Sequence, residues 1–292
     1  MADKRITAEL RLQAARCRKN VLRMIRAGGH GHIGGALSAI DIVTALYFYK
    51  MNADAKNPRD ENRDRFLLSA GHKCLAQYAV LAEKGYFDKA VLDTYGELSS
   101  RIPGHPNMHY LPGIEANTGA LGHGMSIAAG MAMAAKLDHS DYSVYVVTGD
   151  GELPEGSNWE AAAAAAKFGL DNLVVFVDNN GLQISGDVTD VMNMEPIDQK
   201  FAAFGWAVKT IDGNNMEEIC DVLDELPLQK GKPTMILAKT VKAKGLSFGE
   251  GKAEFHFWNA TRDLLDRAES EFDARIAALE RERRDIDGRG TD

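Results

Sequence analysis

Two short polar motifs lie where ligand-binding loops are expected in an α/β protein. TGDG (residues 148–151) follows one apolar segment, and DNN (residues 178–180) follows the next apolar segment along the chain. In an open parallel sheet, ligands bind beyond the carboxyl ends of the strands, so both motifs should face one crevice. Asp150 offers a hard carboxylate, Asn180 a neutral carbonyl oxygen, and the loop after Asn180 can turn a backbone carbonyl inward. Such ligands, completed by phosphate oxygens, suit Mg²⁺.

The glycines around Asp150 favour a diphosphate as the metal's companion. Gly149 and Gly151 have no side chain, so a diphosphate can approach the backbone closely at both positions. Each motif alone would also fit an ordinary turn, because Gly, Asn and Asp tolerate positive φ. Their joint placement at the ends of successive predicted strands is what favours a metal–diphosphate site.

Histidines are concentrated in predicted loops. Six of the eight lie in segments flanked by Gly or Pro at the ends of predicted elements: His30, His32, His72, His105, His109 and His123. Histidines of the surface or the core would also scatter over helix faces. Neutral imidazoles near a metal–diphosphate site can donate and accept protons during catalysis, although for any one of them a structural hydrogen bond is an equally good explanation.

The hydrophobic pattern predicts an α/β fold, a parallel sheet with helices on both faces. Predicted strands cover residues 65–69, 142–149, 173–180, 206–211 and 234–239. Predicted helices cover residues 7–26, 39–50, 72–85, 122–137, 155–169, 216–226 and 260–284, with Thr7 and Ser38 as the caps of the first two and Gly28 and Gly29 ending the first. Residues 99–119 have no periodicity and predict a long loop, which in a compact domain is often functional.

Composition narrows the class of protein and its partners. The chain has 292 residues, of which 45% are hydrophobic and 26% charged, as in an ordinary globular protein. Its net charge of -8 argues against nucleic acid and anionic membranes as partners. The charged N-terminus and the lack of a long apolar stretch predict a cytoplasmic protein with no membrane partner. Cys17, Cys74 and Cys220 have no CxxC spacing and predict reduced, buried thiols.

Five collinear segments give the chain a family resemblance. They are GHIGGALSAIDI (31–42), DRFLLSAGHKCLAQYAVLAEKGYF (64–87), PGHPNMHYLPGIEANTGALGHGMSIAAGMA (103–132), TGDGELPEGSNWEAA (148–162) and DNLVVFVDNNGLQISG (171–186). GDG followed by NN is the signature of thiamine diphosphate enzymes, and the whole set resembles the amino-terminal, diphosphate-binding region of transketolases over about residues 10–257. The resemblance implies a thiamine diphosphate-binding fold, with thiamine diphosphate and Mg²⁺ as cofactors and Ca²⁺ or Mn²⁺ as possible substitutes for Mg²⁺.

The resemblance also implies cofactor-binding roles for individual residues. Asp150 and Asn180 would bind the metal through side-chain oxygens, and Leu182 through its main-chain carbonyl. The remaining cofactor contacts are expected at the diphosphate for His72 and Gly151, and at the aminopyrimidine for Gly119 and Leu121. His256 is a further candidate for the diphosphate, although the family often has glycine where this chain has Phe257.

Three residues are implied in catalysis. His32 and His105 would lie near the reactive thiazolium carbon and bind hydroxyl groups of the sugar. Glu155 matches a carboxylate that links two active sites across a dimer in the family. The first loop departs from the family at Ile33, where proline is common. His30, His109 and His123 are left without a specific role.

The implied activity is transfer of a two-carbon ketol unit from a ketose, or ketose phosphate, to an aldose. Residues 1–258 are predicted to form the diphosphate- and Mg²⁺-binding domain, and residues 259–292 a charged helix with a frayed tail. The pyrimidine-binding and third domains of the family are therefore expected on a separate C-terminal transketolase subunit, in an α2β2 assembly. Alternatives are an α subunit of a 2-oxoacid dehydrogenase, a deoxysugar-phosphate synthase, and a non-catalytic regulatory subunit. The PGHP loop and the SAGH strand end argue against the first.

Overall fold

A parallel sheet forms the centre of the computed structural model, which describes residues 3–288. The strands are β1 (His30–Gly31), β2 (Arg65–Leu68), β3 (Val144–Gly149), β4 (Leu173–Asn179), β5 (Leu182–Gln183), β6 (Gly186–Asp187), β7 (Ala207–Asp212), β8 (Thr234–Lys239) and β9 (Trp258–Asn259). The central sheet has five parallel strands in the order β2-β3-β4-β8-β7. Two short antiparallel pairs, β1-β9 and β5-β6, lie outside it.

Helices cover both faces of the sheet. They are α1 (Lys4–Gly28), α2 (Ile33–Ala45), α3 (Cys74–Lys84), α4 (His123–Leu137), α5 (Gly156–Lys167), α6 (Val188–Met192), α7 (Ile197–Ala203), α8 (Met216–Asp224) and α9 (Arg262–Gly288). A π-helical turn, Leu46–Lys50, continues α2, and residues 99–119 form no helix or strand, as predicted. The predicted α/β fold is confirmed, and each of the five predicted strands lies within two residues of its predicted bounds.

Side chains along the central strands point alternately to the two faces of the sheet, so the core has two layers. Tyr145 and Val147 of β3 pack in the cluster that contains side chains of α1, α2, α3 and α8. Val144 and Val146 face the opposite side and pack with side chains of α4, α5 and α7. Every residue of β3 and β4 is buried, because both faces of a parallel sheet are covered by helices.

Two predicted helix starts are wrong. Asp3, not Thr7, caps α1, and its carboxylate accepts a hydrogen bond from the backbone N–H of Arg5 at 2.8 Å. Helix α2 begins at Ile33 rather than at Ser38, which is buried inside it. Glycine disfavours a helix in solution, but here close packing requires it: a Cβ on Gly34 would lie 2.5 Å from the carbonyl oxygen of Phe255.

The last helix packs along the first. Leu12 and Ala15 of α1 are buried together with Leu279 of α9. Helix α9 extends to Gly288, beyond the predicted end at residue 284, and the rest of the predicted tail, residues 289–292, lies outside the described part. The division of the chain at residue 258 stays a prediction.

Two simpler predictions can be compared directly with the structure. All three cysteines are buried and free of disulfides, as predicted, and burial raises the pKa of each thiol, so they stay protonated. No helix within residues 3–288 is long and apolar enough to cross a membrane.

Candidate active site

A cavity of about 240 Å³ opens at the carboxyl ends of β2, β3 and β4. Nine of the eleven predicted site residues line it: His32, His72, Gly119, Leu121, Asp150, Gly151, Asn180, Leu182 and His256. Residues separated by more than 200 positions in the sequence therefore meet at one edge of the sheet, as expected for a parallel α/β fold.

Asp150 is held rigidly at the end of β3. One carboxylate oxygen accepts a hydrogen bond from the Gly151 N–H at 2.8 Å. The other accepts from the Gly181 N–H at 2.7 Å and from the Asn179 amide at 3.1 Å. Burial raises the pKa of this carboxyl, while Lys73 partly offsets that rise. A cation bound beside Asp150 would favour its ionised form.

Asn180 and Leu182 bring two further oxygens to the same wall. The Asn180 side-chain oxygen accepts a hydrogen bond from the Leu182 N–H at 3.2 Å. The Leu182 carbonyl accepts one from Lys242 Nζ at 2.9 Å. Each oxygen has a second lone pair for a metal. A carboxylate, an amide oxygen and a backbone carbonyl form the donor set that hard cations such as Mg²⁺ prefer.

Three histidines form a cluster in the cavity lining. The ring centroids of His32, His72 and His256 lie 5.2–5.3 Å from one another. Burial lowers the pKa of His32 and of His256 to about 4, with His105 and Lys242 respectively adding to the effect. Burial, together with Lys73, lowers the pKa of His72 to about 2. All three imidazoles are therefore neutral at pH 7 and can both donate and accept hydrogen bonds.

His105 and Glu155 are the two predicted residues outside the cavity lining. His105 is exposed, but its ring lies 6.4 Å from that of His32 and packs against Gly119. A Cβ on Gly119, where φ is +139°, would lie 2.6 Å from the His105 ring, so glycine is required there. Glu155 is exposed at the start of α5 and packs against Gly122.

The remaining loop histidines lie at the margin of the site or away from it. His30 stacks on the exposed ring of Phe257 with centroids 5.4 Å apart. His123 Nδ1 lies 3.1 Å from the carbonyl oxygen of Leu121, which lines the cavity. His109 lines a different cavity, formed by residues 58–63 and 101–115.

Three charged residues of the site were missed by the sequence prediction. Lys73 and Lys242 are buried and line the cavity, and Lys242 Nζ also lies 3.2 Å from His256 Nδ1. Burial lowers the pKa of Lys242 to about 8. Glu152 is buried behind the TGDG motif, where it accepts hydrogen bonds from hydroxyl groups and from the Gly122 and Gly149 N–H groups. A signal was present in the sequence, because Lys73 and Glu152 directly adjoin the SAGH and GDG motifs.

The sheet and the cavity at its strand ends define a cofactor-binding α/β domain. Sequence comparison identifies the class further, since the family "transketolase, thiamine diphosphate binding domain" matches residues 11–270. The chain belongs to this family, as its motifs indicated.

Relatives of nearly equal length are similar throughout. An apulose-4-phosphate transketolase subunit of Phocaeicola vulgatus is 44% identical over 273 residues, which cover 94% of this chain and 97% of that protein. The 6-deoxy-6-sulfo-D-fructose transketolase subunit SqwG of a Clostridium species is 43% identical, over 91% of this chain and 96% of that protein.

Solved transketolases contain the same fold as part of a longer chain. The Campylobacter jejuni transketolase superposes with a TM-score of 0.85 at 31% identity, covering 96% of this chain and 46% of the transketolase. Human transketolase is 37% identical over 87% of this chain and 40% of its own length. The chain thus spans less than half the length of these transketolases.

Proposed function

We propose that this chain is the thiamine diphosphate-binding subunit of a transketolase-like enzyme. It would transfer a two-carbon ketol unit from a ketose, or ketose phosphate, to an aldose acceptor. The observation that carries the proposal is the meeting of Asp150, Asn180 and the Leu182 carbonyl with neutral histidines in one cavity. Membership of the family supports thiamine diphosphate as the cofactor.

Asp150, Asn180 and the Leu182 carbonyl would hold Mg²⁺, with Ca²⁺ or Mn²⁺ as substitutes. The chemistry of the donors fits, because all three atoms are oxygens and Asp150 is already oriented by two backbone N–H groups. A buried oxygen without a partner supports a polar occupant: Gln183 lines the cavity, and its side-chain oxygen has no hydrogen bond within residues 3–288.

The cofactor's two ends would contact different residues of the cavity. We assign His72, Gly151 and His256 to the diphosphate and the backbone of Gly119 and Leu121 to the aminopyrimidine. When bound, thiamine diphosphate supplies the nucleophilic carbon and the electron sink for breaking and forming a carbon–carbon bond beside a carbonyl. Gly151 brings the backbone beside Asp150 close to the Gln183 side chain, since a Cβ at position 151 would lie 3.1 Å from the Gln183 side-chain oxygen.

His32 and His105 would handle the sugar. A neutral imidazole can accept a proton from one hydroxyl group and donate one to another, and the low pKa of His32 keeps it in that state. The His105 ring, which packs on Gly119, would present its exposed edge to the substrate. These residues bind, orient and exchange protons, while the bond-breaking chemistry belongs to the cofactor.

A separate polypeptide would complete the enzyme. Two relatives of nearly the same length are named as transketolase subunits, and longer transketolases match this chain over less than half of their length. We therefore propose a cytoplasmic α2β2 assembly in which the partner chain supplies the pyrimidine-binding and third domains. Glu155, exposed beside Gly122, would link the two active sites across this assembly.

The test is to purify this chain alone and together with the product of the neighbouring gene. Ketol transfer is then measured between ketose and aldose pairs, with and without phosphate, and mass is determined in solution. Activity that appears only on mixing, with a mass near two copies of each chain, is the expected result. Robust transketolase activity of the isolated chain would contradict the need for a partner.

A further inference from the structure

Lys73 is a buried cation in the lining of the cavity, and the proposed function assigns it no role. It ends the short turn that follows β2, its side chain is 4% exposed, and it lines the cavity beside His72. Two glycines make room for it. A Cβ on Gly35 would lie 3.0 Å from its methylene carbons, and a Cβ on Gly149 would lie 3.2 Å from Nζ. The fold therefore brings the ammonium group against the backbone of the TGDG motif.

Asp178, the buried partner of Lys73, also accepts hydrogen bonds from other residues. Lys73 Nζ donates to an Asp178 carboxylate oxygen at 2.6 Å. The same oxygen accepts from Ser38 Oγ at 2.6 Å, and the other carboxylate oxygen accepts from Thr240 Oγ1. Both carboxylate oxygens of Asp178 therefore already accept hydrogen bonds, and one N–H donor of Lys73 is enough to pair with it.

Lys73 has hydrogen-bonding capacity left for a ligand. An ammonium group carries three N–H donors, and within residues 3–288 Asp178 is the acceptor that Nζ contacts. The second cavity lysine, Lys242, is already engaged with the Leu182 carbonyl and with His256. A buried ammonium with unpaired donors is costly unless an anion approaches it, and attraction to such an anion is strong in this environment.

We infer that Lys73 is a diphosphate-binding residue of this chain, donating a hydrogen bond from Nζ to a phosphate oxygen of the cofactor while a second donor stays on Asp178. This inference deepens the proposed function and rests on it. The position of Nζ beside Gly149, one residue before the metal-binding Asp150, favours the cofactor's diphosphate over a phosphate on the sugar. Lys73 would then select thiamine diphosphate over unphosphorylated thiamine.

A purely structural role is the alternative, in which Lys73 only neutralises Asp178. A double substitution separates the two roles. Lys73→Met alone leaves a buried carboxylate without its cation, whereas Lys73→Met with Asp178→Asn removes both charges together. Asp178→Asn alone keeps the ammonium group and serves as the matched control.

Affinities for thiamine diphosphate, thiamine and fructose 6-phosphate are measured by calorimetry with Mg²⁺, using the chain together with its partner subunit. We expect Asp178→Asn to bind thiamine diphosphate within a few-fold of the wild type. The double variant should bind it about 10- to 100-fold more weakly, the usual effect of losing a hydrogen bond to a charged group. Affinity for thiamine should be the same in both.

Comparing Asp178→Asn with the double variant keeps the test valid even if Lys73→Met does not fold. Wild-type affinity of the double variant for thiamine diphosphate would overturn the inference and make Lys73 structural. A loss confined to fructose 6-phosphate would overturn it too, by placing Lys73 at the sugar phosphate. Failure of the wild-type protein to bind thiamine diphosphate would instead contradict the proposed function itself.

Discussion

Two parts of the site are positioned by different interactions: the proposed metal ligands Asp150, Asn180 and Leu182, called the metal side below, and the histidines His32, His72, His105 and His256, called the histidine side. On the metal side, Asp150 follows a buried strand, and its carboxylate accepts hydrogen bonds from two backbone N–H groups. On the histidine side, His32 precedes α2 without a side-chain capping bond and contacts His72 and His256 through its ring. Directional hydrogen bonds fix Asp150, whereas contacts between rings position His32.

This difference indicates that the two sides have different roles in binding and catalysis. A carboxylate oriented in advance loses little entropy when a cation binds, so the metal side should determine whether the cofactor is retained. The neutral imidazoles carry no charge, so those proposed to contact the diphosphate, His72 and His256, can offer it only hydrogen bonds, whereas His32 can exchange protons with a substrate. Substitutions of Asp150 and of His32 should therefore change different measured quantities.

The largest effect is expected for Asp150→Ala. Removing the one carboxylate of the proposed ligand set leaves the cation without a charged partner, and affinity for the Mg²⁺–thiamine diphosphate complex should fall by about 3 kcal/mol or more. Calorimetry with the partner subunit present measures it, and Asp138→Ala, on the exposed end of α4, is the matched control. Unchanged affinity of the Asp150 variant would remove the metal side from the comparison.

A smaller effect, on turnover, is expected on the histidine side. His32→Ala and His105→Ala should keep cofactor affinity and lower kcat/KM, by an amount equivalent to roughly 1–3 kcal/mol for each hydrogen bond to the substrate that is lost. His72→Ala should instead weaken cofactor binding, because this histidine is assigned to the diphosphate. Steady-state kinetics and calorimetry separate the two outcomes, with His139→Ala in an exposed loop as control. The opposite pattern would show that these roles are exchanged.

The smallest effect is the pH dependence of stability. The pKa of His32 and of His256 is about 4 in the folded protein, below the ordinary value of 6.5. Between these pH values the unfolded chain binds more protons, so their contribution is complete above pH 6.5 and is lost as the pH falls towards 4. Carboxylates titrate in the same range, so the informative quantity is a difference between proteins.

Thermal unfolding of the wild-type chain and of a His32→Gln, His256→Gln double variant, measured from pH 7.5 to 4, tests this prediction. The wild-type Tm should fall more steeply below pH 6.5 than that of the variant. Parallel curves would mean that burial of these imidazoles does not control their protonation.

The hydrophobic pattern was sufficient to predict the central strands and the helices that alternate with them along the chain. The apolar runs of β3 and β4 are continuous because both faces are buried, and motifs placed at their ends meet in the cavity. Local patterns failed where a distant contact decides the structure. Gly34 and Gly35 argue against a helix, yet α2 includes both, because the Phe255 backbone and the Lys73 side chain pack against them.

The charged interior was the least predictable part of the site. Lys73 and Asp178 are 105 positions apart, and nothing in either segment alone indicates that the lysine is buried. Lys242 lies in a polar loop whose sequence does not indicate burial. It is buried because the loop folds against the Leu182 carbonyl and His256. The predicted roles of individual residues depend on the family resemblance, whereas their convergence follows from the topology of the sheet.

The pairing of α1 with α9 has a consequence for synthesis of the chain. Arg11 and Arg26 of the first helix form ion pairs with Glu282 and Asp266 of the last, so the two helices run antiparallel along their length. On the ribosome, α1 emerges well before α9, by roughly 10 to 50 s at about 5–20 residues per second. During that interval the stripe around Leu12 and Ala15 has no cover. Until α9 has been synthesised, nascent chains of this protein therefore lack the helix that buries this apolar face of α1.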